Sequence, residues 1–127
     1  MILVADTNIL VRLLVNDDAR QVEQVREAMS GHTVWVSVTV LLELAWVLSS
    51  RYQVRRAGMV AALQMLLGTA GLEVEDHEAV QQAMRWFGEQ GDFADALHLA
   101  RSRHKGTMLT FDADFCKMAD APVTVLR

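Results

Sequence analysis

The stretch "ILVADTN", residues 2–8, decides how the rest of the chain is read. Four apolar residues, Ile2 to Ala5, form a strand too short and too uniformly apolar to lie on a surface. The run stops on a carboxylate, Asp6, and "NILVRLL" (8–14) then turns to helical spacing. A buried strand that hands over directly to a helix is half of a parallel α/β unit. The same grammar returns near the other end. In "LTFDADF" (109–115) an apolar run stops on Asp112, and Asp114 follows two places later.

Between these ends the pattern alternates. "DDARQVEQVREAMSG" (17–31) is an amphipathic helix, with Asp17 or Asp18 as its cap and Gly31 beyond its end. "TVWV" (33–36) is β-branched and aromatic, hence a strand. Ser37 or Thr39 caps a long helix to about Tyr52, and "RRAGMVAALQMLLG" (55–68) gives another. "LEV" (72–74) is a brief strand, followed by a helix over 76–91 and one over 92–106, each closed by glycine. "TMLTF" (107–111) is a strand, "DADFCKMA" (112–119) a short helix, and "VTVLR" (123–127) a last strand after Pro122. Strands alternating with helices predict an α/β sandwich with a mainly parallel sheet. A length of 127 residues with no repeat and no low-complexity linker predicts one domain, 1–127.

Composition narrows the class. Hydrophobic residues make up 52% and charged residues 22%, so the chain has enough apolar material for a core. A net charge of −4 leaves no global basic footprint, and any nucleic-acid contact must come from local Lys/Arg patches. The single cysteine, Cys116, excludes an internal disulfide framework and reads as core filler. "VSVTVLLELAWVLSS" (36–50) is interrupted by Glu43 and shorter than a membrane span. Without a basic signal-peptide start, a cytoplasmic protein with no membrane contact is expected.

In parallel α/β sheets, ligands sit outside the carboxyl ends of the strands. Asp6 and Asp112 both fall there. Glu43 stands alone among apolar neighbours and is expected to face a core or a cleft. Asp95 lies near a helix start with the small residues Ala94, Ala96 and Ala100 around it, which would leave room for a ligand. Each acid taken singly has a plain alternative. Asp6, Asp92 and Asp112 can all be helix caps, and Asp92 is left outside the site for that reason. Taken together they impose a counter-ion, because two carboxylates about 4 Å apart repel by roughly 4 kcal/mol at an effective dielectric near 20. Oxygen donors without nearby sulfur suit Mg²⁺ or Mn²⁺, which can activate water against a phosphodiester.

The order "ADTNIL", "LLELAWVL", "DFADALHLA", "LTFDADF" resembles the PIN-domain ribonucleases, and among them the VapC-type toxins of type II toxin–antitoxin pairs. The resemblance covers nearly the whole chain. It implies a three-layer sandwich with a five-stranded parallel sheet flanked by helices, and a Mg²⁺- or Mn²⁺-dependent endoribonuclease. The family's acids fall on Asp6, Glu43, Asp95 and Asp112, with Asp6, Asp95 and Asp112 as metal ligands. Thr7, Asn8, Thr110 and Asp114 match positions that orient the acids. The implied partners are a structured RNA such as transfer RNA, a cognate VapB-like antitoxin and a second copy of the chain.

Basic residues Arg12, Arg51, Arg55, Arg56, Arg101, Arg103 and Lys105 are candidates for the RNA rim. His98, three places after Asp95, is a candidate substrate contact, while His32, His77 and His104 read as loop or surface residues. Two rival readings remain open. A metal-dependent phosphatase would carry a second acid two residues after the first-strand aspartate, where "DTN" has Asn8. A catalytically inactive PIN-fold binding module would share the fold and lose the acids.

Overall fold

The computed structural model describes residues 2–117 and 123–127. Pro122 and the side chain of Cys116 lie outside the described residues. The chain folds as two compact units, residues 1–75 and 76–127.

The first unit is built from β1 (Ile2–Val4), α1 (Thr7–Leu14), α2 (Ala19–Met29), β2 (Thr33–Val36), α3 (Val38–Ser50), α4 (Arg56–Leu67) and β3 (Leu72–Val74). Its strands form a parallel ladder in the order β1-β2-β3, with Leu3 opposite Val34 and Trp35 opposite Glu73. Val34 and Val36 bury one face of the central strand, and Trp35 on its other face is half-buried. Leu10, Leu41, Leu44, Leu48 and Leu63 are all 1% exposed or less and form the apolar centre around it. A positive φ of 76° at Gly31 turns the chain from α2 toward β2, a conformation glycine adopts without a Cβ clash.

The second unit contains α5 (His77–Glu89), α6 (Phe93–Ser102), β4 (Met108–Thr110), a 3-10 turn at Ala113–Lys117 and β5 (Val123–Val125). Helices α5 and α6 pack on each other, and the Phe87 and Phe93 rings meet edge to face at 5.8 Å. Ala83, Ala96 and Ala100 are buried. Small side chains let two helix backbones approach closely, so Ala96 and Ala100 fill core space and do not open room for a ligand. Strands β4 and β5 pair in parallel, with Leu109 opposite Thr124.

Among the described residues five strands pair in parallel, as expected, yet hydrogen bonds link them as a set of three and a set of two, and β1, expected to be buried, leaves Ile2 and Val4 65% and 70% exposed. Helix α6 also stops earlier than expected, at Ser102 and not near Gly106. The Ser102 hydroxyl donates to the carbonyl of His98 at 2.7 Å, and the Lys105 amide donates to the carbonyl of Ser102. These bonds divert the last-turn carbonyls before glycine is reached. Among the described residues no helix is long and apolar enough to cross a membrane.

Candidate active site

In the first unit, each strand end hands its polar side chain to a helix start. After β1, Ala5 is buried and its amide donates to the carbonyl of Trp35. Asp6 then takes an extended conformation as the N-cap of α1, and its Oδ1 accepts from the Thr7 amide at 2.7 Å. Thr7 is buried and anchors the turn, whereas Asp6 and Asn8 are exposed. After β2, Ser37 caps α3 by accepting from the Val40 amide at 3.2 Å. After β3, the Glu75 Oε1 accepts from the Val38 amide at 3.0 Å.

Glu75 was not singled out in the sequence. Its signal was nonetheless present, because "LEVE" (72–75) is another apolar strand that ends on a carboxylate. Its anionic oxygen satisfies an orphan donor of α3 and sits at the positive end of the helix. Glu75→Ala is expected to destabilise the protein by about 1 kcal/mol, and Glu75→Gln, which keeps the acceptor, by less. Urea unfolding of both variants measures the difference.

Glu43 corrects an expectation. It is exposed, set off the buried stripe of Val38, Leu41, Leu44, Val47 and Leu48. The apolar neighbours of Glu43 do not enclose it, because that face of α3 reaches solvent, with Trp46 62% exposed. A hydrated carboxylate has no burial cost to offset, so Glu43 is available to a ligand without a built-in partner.

In the second unit, Asp92 caps α6, its Oδ2 accepting from the Asp95 amide at 3.3 Å. This places Asp95 in the first helical turn, half-buried. At the end of β4 the Asp112 amide donates to the Thr110 hydroxyl oxygen at 2.9 Å. Oδ1 of Asp112 accepts from the Asp114 amide, also at 2.9 Å. Thr110 therefore shapes the turn that carries Asp112, and Asp112 in turn fixes the backbone of Asp114.

Burial pushes the Asp95 carboxyl above its ordinary value, and repulsion from Asp92, Asp112 and Asp114 adds to it. His98 opposes the shift. Three other acids of the second unit thus act on Asp95 through space, and Asp92, read only as a cap, supplies the largest charge effect. Asp112 is thus one of the charges that act on Asp95. Asp6 and Glu43 belong to the first unit. Among the described residues, no three His, Cys, Asp or Glu side chains form a group that could hold a metal ion. The donor chemistry still fits a divalent ion: carboxylates alone, with Asp95 and Asp112 in no salt bridge among the described residues.

Several candidate RNA-contacting cations are engaged inside their own unit. Arg12 bonds Asp17 and the Tyr52 hydroxyl, Arg101 pairs with Asp76 at 3.1 Å, and Arg103 donates to Gln82. Arg51, Arg55 and Lys105 are exposed. His98 is exposed beside Asp95. His32, read as a surface residue, is half-buried, and its Nδ1 is buried with no hydrogen-bond partner. It lines a pocket of about 600 Å³ with Leu14, Met29, Met65 and Leu72, toward the amino ends of β2 and β3.

Comparison with known proteins places these features in context. No curated protein sequence matches the chain. Among solved structures, it is similar to VapC20 of Mycobacterium tuberculosis, described as a sarcin–ricin-loop-cleaving toxin. That likeness has 26% identity and a TM-score of 0.43, over 94% of this chain and 95% of that one. It is also similar to VapBC2 of Rickettsia felis, solved with a DNA fragment from their promoter. Identity there is 18% and the TM-score 0.40, over 98% of each chain. The sequence profile of the PIN domain matches residues 3–121, and the chain belongs to the PIN-domain family.

Proposed function

We propose that this protein is a Mg²⁺- or Mn²⁺-dependent endoribonuclease, the toxin of a VapC-type toxin–antitoxin pair. The observation that carries the reading is the match to the PIN domain over residues 3–121; the Asp95 carboxyl, pushed up by burial and by the charges of Asp92, Asp112 and Asp114, is in keeping with it. Carboxylates that repel one another, as Asp92, Asp112 and Asp114 do Asp95, are best tolerated with a cation present. Family membership over residues 3–121 spans all four candidate acids.

On this reading Asp6, Asp95 and Asp112 would hold the ion, and oxygen-only donors would select a hard one. The bound ion supplies Lewis acidity, lowering the pKa of water and offsetting charge at a phosphodiester. The chain's own residues do the rest. Glu43 or Asp112 takes the proton of the attacking water. Thr7 and Thr110 hold the turns from which Asp6 and Asp112 project, with Asn8 and Asp114 beside them. Water's oxygen forms the new bond to phosphorus, the strand's P–O bond breaks, and the leaving oxygen is protonated from solvent. The substrate is a structured RNA, with transfer RNA the first candidate, cut where bases leave the stack. The partners are a cognate antitoxin and a second copy of the chain, in the cytoplasm.

The test is incubation of the purified, antitoxin-free protein with total small RNA and with ribosomal RNA, in Mg²⁺, Mn²⁺ or chelator. Discrete cuts that require the metal are expected, and their mapping names the substrate. A folded protein that cuts neither pool in either metal is an RNA- or protein-binding module instead.

A further inference from the structure

The exposed face of α3 carries a feature that the acids do not use. Trp46 is 62% exposed, while Trp35 is half-buried and Trp86 is buried. Tryptophan is highly buried on average, so a largely exposed indole on a helix is unusual. It lies three residues beyond Glu43 and therefore beside it on the same helical face, with Cβ atoms about 5–6 Å apart. Around Trp46 the surface is polar: Glu43 and Ser50 are exposed, and the Ser50 hydroxyl donates to the Trp46 carbonyl at 2.7 Å. Arg51 caps the end of the helix, exposed, with its guanidinium in no salt bridge or side-chain hydrogen bond among the described residues.

We infer that Trp46 is a stacking platform for a nucleobase of the RNA substrate, one nucleotide from the phosphate addressed by Glu43, with Arg51 contacting the strand beyond it. This rests on the ribonuclease reading for its substrate. An aromatic face set next to an acid and followed by a free cation suits single-stranded RNA. A π-face accepts any base, and the guanidinium meets the phosphate. A protein partner covering this face would instead have to supply hydrogen-bond or ion-pair partners for Glu43 and the exposed serines around the indole.

The test uses the full chain in chelator, titrated with six-nucleotide single-stranded oligoribonucleotides. Binding is followed by intrinsic fluorescence and by anisotropy of a labelled strand, for wild type, Trp46→Phe and Trp46→Ala. Expected results are quenching of an exposed-indole emission in wild type, lost in both variants. Affinity should be about tenfold weaker in Trp46→Ala and nearer wild type in Trp46→Phe. An abasic nucleotide scanned along the strand should weaken wild type at one position and leave Trp46→Ala unaffected there. In metal, cleavage by Trp46→Ala should show a raised KM with a smaller change in kcat. Unchanged wild-type emission on adding RNA, or equal affinity and KM in Trp46→Ala, overturns the proposal and leaves the nuclease intact. So does a changed sedimentation mass in Trp46→Ala with unchanged RNA affinity, which makes this face a protein interface. Stacking with no cleavage in either metal upholds the platform and removes the nuclease.

Discussion

Asp6→Asn and Asp95→Asn each lower single-turnover RNA cleavage by about a thousandfold or more, and the double variant is no slower than the slower single. Residues that act as one unit lose nearly everything at the first removal, so their effects do not multiply. Asparagine is the informative replacement at position 6. It keeps an oxygen for the Thr7 amide and is as good an N-cap as aspartate. The α1 start therefore survives while the charge is gone. Circular dichroism and urea midpoints check that both singles remain folded. Multiplicative losses would mean that the two acids serve separate purposes. An active Asp6→Asn would reduce Asp6 to its capping role.

On the proposed function, divalent ions are expected to stabilise the wild-type fold and to leave Asp95→Asn untouched. Binding to the native state alone contributes about 2.7 kcal/mol at a free metal concentration of 100 times Kd, which is readable as a higher Tm. In chelator the order reverses. The folded Asp95 carboxyl titrates above its unfolded value of 3.8, so ionising it costs folded-state stability. That cost is absent below the unfolded pKa, grows as pH rises through the folded pKa, and is complete above it. Near pH 7 the metal-free Asp95→Asn is thus the more stable protein. The gain is less than about 1 kcal/mol, because solvent screens so open a position. It disappears toward pH 3. The favourable position of Asp95 in the first turn of α6 works in the opposite direction, worth about 0.3–1 kcal/mol. A destabilised Asp95→Asn at neutral pH would show the helix end outweighing the repulsion.

Much of this was legible in the residues, and the reasons are local. "TVWV" gave β2 at its bounds because β-branched residues were flanked by His32 and Ser37. Asp18, Ser37 and Asp92 cap their helices because a short polar side chain before an apolar period has little else to do. What escaped depends on contacts remote in sequence. The exposure of Glu43 is invisible when its helix is apolar on nearly every side. Glu75 and Val38 meet only because β2 and β3 pair. The charge of Asp92 on Asp95 needs coordinates, although its cap does not. The end of α6 was misplaced because Gly106 is a conspicuous stop signal and the Ser102 hydroxyl a quiet one.

The bond between Glu75 and Val38 joins residues 37 positions apart. A ribosome adds that many residues in about 2–7 s. For those seconds of synthesis the helix bearing Glu43 has begun without the clamp on its first turn, and β2 has no β3 beside it. A newly made chain thus gains this clamp on the helix of its glutamate only once residue 75 has been added, and a truncated product that stops short of residue 75 lacks it.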